Sequence, residues 1–282
     1  MSNKEQRFEQ ISQQSLQPNT LGKVYLVGAG PGAVDLITVR GAKLLAKADI
    51  VFYDALVDLE ILKLCPQAKK IAAGKRCGKL SSAQQFINKR LVDATQKYKT
   101  IVRLKGGDPM LFGRADEEIT ALKMAGIPFE IVPGITAALA GAASLQKSLT
   151  LRGVSRSVAF ITQAKASESM TLGSPTADPH ADTLIYYMGR RDAAHIAKQL
   201  IESGKHFTLN TPVHILEAVS TPKERHWSSN LNELAKGEAD DWFDSNSPAL
   251  IMIGEALLKV VDTNLETVDQ DQQLACINAR SN

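Results

Sequence analysis

From Lys23 to Val132, short β-branched apolar runs alternate with stretches whose apolar residues recur at helical spacing, and glycine-rich turns separate them. A short, mostly apolar run that ends at a turn reads as a buried strand. Lys23–Gly28, Ile50–Tyr53, Lys70–Ala72, Thr100–Leu104 and Pro128–Val132 all fit that pattern. Between them, Asp35–Ala48 (with Leu36, Val39, Leu44 and Leu45), Ser82–Tyr98 (Phe86, Ile87, Leu91 and Val92) and Asp116–Ala125 read as helices. Gly126 stands where a helix C-cap belongs. Strands that alternate with helices predict a largely parallel sheet with both faces covered. Beyond Pro133-Gly134, read as a hinge, the pattern predicts a helix over Ile135–Ser144 and strands at Ser157–Thr162, Thr183–Tyr187, Pro212–Leu216 and Ala249–Ile253. A helix over Asp192–Ser203 lies among them. The expected architecture is therefore α/β, in two domains: 21–134 and 135–262.

Composition limits what such a chain does. Of 282 residues, 44% are hydrophobic and 22% charged, enough for a core and typical of a soluble globular chain. The longest apolar stretches, around Ile135–Ala143 and Ala249–Ile253, fall far short of the ~20 residues that span a bilayer. Residues 1–20, rich in Gln, Ser and Asn, lack the basic start and apolar centre of a secretory signal and read as a disordered leader. Residues 263–282 read as a flexible tail, and Thr162–Asp182 as a mobile polar loop. Cys65, Cys77 and Cys276 are too few and too scattered for a disulfide framework or a zinc cage, so a reducing cytoplasm and no metal are expected. A net charge of +3 with no long basic run argues against nucleic acid as a partner.

Two glycine-rich loops carry the chemistry. Gly28-Ala29-Gly30-Pro31-Gly32 follows the first strand as a dinucleotide-binding turn would. Pro31, however, removes a backbone N–H that a phosphate cradle needs, and Asp54 comes slightly late for a ribose-binding carboxylate. A plain strand-to-helix turn is the competing explanation. Arg103-Leu104-Lys105-Gly106-Gly107-Asp108-Pro109, leading to Phe112-Gly113-Arg114, is more specific. Its glycines allow close backbone approach to a ligand, and Asp108 adds a carboxylate.

These strings, with Tyr53-Asp54-Ala55-Leu56-Val57, Gly74-Lys75-Arg76, Gln84 with Ile87-Asn88, Glu117-Glu118, Val132-Pro133-Gly134-Ile135-Thr136-Ala137, Tyr187-Met188-Gly189 and Ser247–Ile251, resemble the tetrapyrrole methylases. The motifs occur in family order from about Gly22 to about Val260. The resemblance implies two α/β domains with the active site in the cleft between them, usually in a homodimer. It implies S-adenosyl-L-methionine as methyl donor and S-adenosyl-L-homocysteine as product, with cofactor contacts at Pro31, Gly106, Gly107, Asp108, Leu111, Thr136, Ala137, Met188 and the segment near Val219. Asp54 is the implied proton acceptor and Lys75 the implied donor; a turn cap and a solvated lysine are their plain alternatives. The implied reaction is methylation of uroporphyrinogen III at C2 and C7, giving precorrin-2 for siroheme or cobalamin synthesis. That substrate carries carboxylates around its rim, which arginine forks suit. Arg76, Lys79, Arg114, Arg152 and Arg156 are expected to face it; Arg114 and Arg152, with Glu117, are the implied substrate contacts.

The chain departs from the family pattern at Leu80 and Leu151, where histidines are usual. It departs again at Met110, at Ala115-Asp116 and at Val219, where a glycine is common. Histidine titrates near neutrality and leucine does not. The departures keep open another precorrin methylase and a tetrapyrrole binder without turnover. Beyond them stand an RNA ribose methyltransferase, which the Lys105–Arg114 string and the weak basic charge oppose, and an NAD-dependent oxidoreductase.

Overall fold

The computed structural model describes residues 21–73, 80–163, 180–204 and 206–258. The expected leader and tail, most of the polar loop (164–179), Lys75, Arg76 and Lys79 lie outside these residues.

The first sheet contains β1 (Lys23–Gly28), β2 (Ile50–Tyr53), β3 (Lys69–Ala72), β4 (Thr100–Lys105) and β5 (Phe129–Val132). Their order is β3-β2-β4-β1-β5, and every pairing is parallel. Each parallel pairing needs a crossover. These are supplied by α1 (Val39–Leu45), a 3-10 segment at Leu59–Leu64, α2 (Leu80–Ala94) and α3 (Ala115–Met124). One face packs Val27, Val51, Val102 and Leu104 against Leu45 and Ile61. The other packs Val24, Leu26, Phe52 and Ile101 against Leu91, Ile119 and Leu122. Both faces are covered, as continuous apolar strands require.

The helix expected over Asp35–Ala48 is shorter in the structure. Thr38 stands in extended backbone and its hydroxyl accepts a hydrogen bond from Gly41 N at 3.1 Å, so α1 starts after it. Val34–Leu36 is a separate 3-10 turn. The glycine-rich turn after β1 therefore does not feed directly into a full helix N-terminus, the feature a pyrophosphate would use.

The second sheet contains β6 (Val158–Thr162), β7 (Thr183–Tyr187), β8 (Pro212–Glu217), β9 (Arg225–Asn230) and β10 (Ala249–Ile253), in the order β6-β7-β10-β8-β9. The pairing β6–β7 is parallel and the other three are antiparallel. The parallel character expected from the first half does not extend here, because the turn between β8 and β9 is too short for a crossover. Strand β9 has no counterpart in the sequence reading. Its Arg-His-Trp-Ser-Ser-Asn string is polar, it sits at the sheet edge, and His214 of β8 meets Ser228 across the pair at 2.7 Å. Helices α4 (Ala137–Ser144), α5 (Ala193–Ser203) and α6 (Leu231–Ala235) cover this sheet.

The strand directions decide where a ligand fits. The carboxyl ends of β1, β2, β4 and β5 share one edge of the first sheet. In the second, the ends of β7 and β8 and the start of β10 share an edge, since β10 runs against both. Open α/β sheets bind ligands outside the carboxyl ends of their strands.

Candidate active site

A cavity of about 740 Å3 opens between these two edges, within the ~300–1,000 Å3 usual for small-molecule sites. The first sheet contributes Gly30 and Pro31 after β1, Asp54 and Leu56 after β2, Gly106 to Asp108 after β4, and Thr136-Ala137 after β5. The second contributes Tyr187-Met188 after β7, Val219 after β8 and Ser247 to Leu250 at the start of β10. Leu111 and Arg114 complete the side beneath α3.

Glycines set the loops of the first edge against each other. Gly30 and Gly107 exchange backbone hydrogen bonds, Gly107 N to Gly30 O at 2.7 Å and Gly30 N to Gly107 O at 3.2 Å. A Cβ on Gly28 would lie 2.6 Å from Gly134 Cα and 2.7 Å from Gly107 O, so these three positions meet backbone to backbone. Asp108 completes the bracket: one carboxylate oxygen accepts from Met110 N at 2.8 Å and the other from Gly134 N at 2.9 Å. Its carboxylate is thus engaged within the loop, although Asp108 lines the cavity. Gly107 differs from the others. At φ 64° its missing Cβ would meet nothing nearer than Thr136 Cα at 3.9 Å, which leaves room for a flat ligand along the main chain.

The second edge offers apolar surface. Met188, at φ 57°, keeps 53% of its surface open. The Tyr187 ring packs against Phe112 at a tilt of 58°, with centroids 5.1 Å apart. Its hydroxyl bonds the Thr136 hydroxyl and accepts from Ala138 N at 3.1 Å, joining the second sheet to the start of α4. Burial pushes the Tyr187 phenol above its ordinary value, against those two hydrogen bonds. Val219 is buried between Ala218 and Ser220, both at positive φ.

The floor of the cavity holds a charge network that the sequence reading did not single out. Arg103, Lys105 and Glu118 are each 2% exposed or less. The Arg103 guanidinium donates to Asp54 Oδ1 and, through Nε, to Glu118 Oε1 at 2.8 Å. Lys105 Nζ donates to Glu118 Oε2 at 3.1 Å, and Gln84 Nε2 donates to Oε1 at 3.3 Å. Burial opposes the Arg103 charge, but Glu118 and Asp54 outweigh it and hold the guanidinium protonated. Lys105 goes the other way. Burial first, then the Arg103 cation, push its ammonium below the usual lysine range despite Glu118 and Asp54. The sequence ends the strand at Leu104 and reads Lys105 as the start of the glycine-rich loop; the structure extends β4 to Lys105, and the signal available was a charge, Arg103, written into a central strand with no exposed face for it.

At the mouth, Arg114 grips Glu117 with both ends of its fork, Nε to Oε1 at 2.6 Å and Nη2 to Oε2 at 2.8 Å. Glu117 itself does not line the cavity and reaches it through Arg114. Arg190, whose Nη1 donates to the Asp244 and Ser247 carbonyls, and Arg191 line the opposite rim. Neither had been expected there. Arg152 and Arg156 are exposed and are not among the cavity-lining residues. No group of three or more histidine, cysteine or carboxylate side chains among the described residues is placed to hold a metal ion.

A family model described as Tetrapyrrole (Corrin/Porphyrin) Methylases matches residues 23–235. The uroporphyrinogen-III C-methyltransferase of Pseudomonas aeruginosa is 40% identical over 240 residues, 85% of this chain and 96% of that protein. The siroheme synthase of Psychrobacter sp. is 39% identical over 285 residues, 97% of this chain and 57% of that protein. The chain spans about half the length of the siroheme synthases it matches. Among solved structures, the uroporphyrin-III C-methyl transferase from Thermus thermophilus complexed with S-adenyl homocysteine is 36% identical with a TM-score of 0.70, covering 84% of this chain and 93% of that one. A cobalt precorrin-4 methyltransferase is 28% identical with a TM-score of 0.69, covering 84% and 96%.

Proposed function

The chain belongs to the tetrapyrrole (corrin/porphyrin) methylases, and from that premise we propose that it methylates uroporphyrinogen III at C2 and C7 to give precorrin-2, using S-adenosyl-L-methionine. The observation that carries this reading is the cavity itself: a main-chain shelf at Gly106-Gly107, an open Met188 and a rim of arginines converge on one space.

The residues fit the methyl donor. The room beside Gly107 accepts a planar group against the backbone, Thr136 and Ala137 keep the wall low, and Met188 presents a polarizable surface for an adenine ring. When bound, the donor supplies an electrophilic sulfonium methyl. No protein nucleophile is required, so the main task of the protein is to align carbon, methyl and sulfur. On the substrate side, Arg114, Arg190 and Arg191 present cations to the carboxylate rim. Asp54, 29% exposed and fixed by Arg103, keeps the acceptor role implied by the family resemblance and also presents a carboxylate to positive charge developing on the ring. Lys75, outside the described residues, keeps the donor role implied by the family resemblance.

Mass spectrometry of the product tests this. With uroporphyrinogen III and S-adenosylmethionine under reducing, anaerobic conditions, the tetrapyrrole should gain two methyl groups. A gain of one points to a different precorrin step, and no gain overturns the assignment.

A further inference from the structure

Transfer of a methyl to a pyrrole carbon leaves the ring with a positive charge and a proton to lose, and two ionisable groups, Asp54 and Lys105, line the floor of the cavity. Asp54, the acceptor that the family resemblance implies, has Oδ1 engaged by the Arg103 guanidinium, so a second acceptor beside it would complete the site. Lys105 lies at the carboxyl end of the central strand β4, lines the cavity, and is 2% exposed. Its stem runs under Gly113, where a Cβ would sit 3.2 Å from Lys105 Cε, so the missing side chain leaves that path clear. The charged groups that face it are Arg103 from its own strand, Glu118 from α3 and Asp54 after β2, with the Gln84 amide from α2 on the same carboxylate. Two cations share the buried Glu118, and Arg103 claims it with the permanently charged group. Lys105 is then the member of the network that sheds its proton most readily, and it is the cation of the pair able to act as an acceptor.

Building on the methyltransferase reading above, we propose that Lys105 is a further catalytic residue, whose unprotonated amine takes the proton that the methylated ring loses. The ring π pair forms the new carbon–carbon bond, and the carbon–sulfur pair leaves with sulfur. A C–H pair then returns to the ring and its proton passes to Lys105 Nζ. The resulting ammonium is held by Glu118 Oε2, already 3.1 Å away, until it exchanges with solvent. Burial and the Arg103 charge, which lower the Lys105 ionisation, act in the direction this role needs.

The decisive variant is Lys105→Arg, which keeps two cations beside Glu118 but cannot become a neutral amine. Expected is a loss of turnover of about 100-fold or more, with S-adenosylhomocysteine affinity by calorimetry changed less than about threefold. Lys105→Ala should lose as much and regain activity with added ethylamine, in proportion to its unprotonated fraction. Wild-type single-turnover rates should rise with pH through one ionisation that is missing from the residual activity of Lys105→Ala. Near wild-type turnover in Lys105→Arg would assign the lysine to charge balance and overturn the proposal. A wild-type rate flat from about pH 6 to 10 overturns it even where neither variant folds. Wild-type protein that binds S-adenosylhomocysteine but yields no methylated tetrapyrrole defeats the underlying reading instead.

Discussion

The two edges that enclose the cavity are held by different chemistry. On the first sheet, loops are fixed to one another mainly by backbone, the Gly30–Gly107 exchange and the contact of Gly28 with Gly134, with the Asp108 carboxylate added on Gly134 N. On the second, the loop between β8 and β9 is fixed by side chains. Ser220 Oγ accepts from Ala33 N at 3.1 Å, linking the two edges. Glu224 gathers the Ser144 hydroxyl, the His226 ring and Ser220 N. Each half also buries one glutamate completely, but with unlike partners. Glu118 is held by two cations that are themselves buried; Glu217 is held by Arg225, which keeps 45% of its side chain in solvent, and by Asp244 N at 2.9 Å. The first half thus combines a loop frame built mainly from backbone contacts with a costly charge network at the cavity. The second combines a titratable loop clasp with a charge pair that water helps to satisfy.

The glutamates give the largest test of that difference. Removing one partner from a fully buried ionic network costs about 3–5 kcal/mol, because the remaining charges are left uncompensated. Glu118→Gln leaves Arg103 with Asp54 alone and takes from Lys105 the carboxylate it donates to, and denaturant unfolding should register a loss of that size. Glu217→Gln should lose about 1–3 kcal/mol, since Arg225 can turn to solvent and its guanidinium still lies over the Trp242 ring at 4.6 Å. Equal losses would show that the two networks do not differ in the way their burial suggests.

Gly134→Ala probes the backbone frame. Its Cβ would press on Gly107 O and lie 2.8 Å from Gly28 Cα, contacts that no rotamer relieves. Overpacking of this kind costs about 1–3 kcal/mol. Affinity for S-adenosylhomocysteine should fall with stability, since Gly107 and Thr136 move together. A stability loss with unchanged affinity would separate the frame from the cavity wall.

What the sequence made legible follows the same division. Apolar runs such as Val24–Val27 and Ile101-Val102 mark strands buried on both faces, and the crossover helices follow from parallel pairing. Loop motifs at strand ends mark most of the cavity wall on both sides. Illegible were the features that depend on a neighbour far away in the chain. β9 reads as a polar loop because an edge strand needs only one apolar side chain, Trp227, half-buried, and its Ser228 hydroxyl pairs with the His214 ring of β8. Glu118 reads as one more acid in the first turn of a helix, where acids are favoured anyway. Its burial comes from Arg103 and Lys105, which are 15 and 13 positions away. Arg190 and Arg191 look like solvated charges until the end of β7 is seen to face the end of β4.

The smallest expected effect belongs to the second-edge clasp, and its sign is fixed by Glu224. Burial opposes the charge of this carboxylate, but hydrogen bonds from Ser144, His226 and Ser220 outweigh it and hold it below the ordinary value of 4.5. A carboxylate lowered on folding adds stability that is complete above its unfolded value and is lost as pH falls through the folded one. Between pH 4.5 and that lower value, the wild type should therefore lose stability that Glu224→Gln never had. At neutral pH the variant should be less stable by no more than about 1 kcal/mol, and the two unfolding curves should converge on acidification. Because Ser220 reaches Ala33 on the other edge, ligand affinity in the wild type should weaken over the same acid window and stay level in Glu224→Gln. If Glu224→Gln kept the acid dependence of the wild type, Glu224 would not be the titrating group of the clasp and the contrast between the two edges would fail.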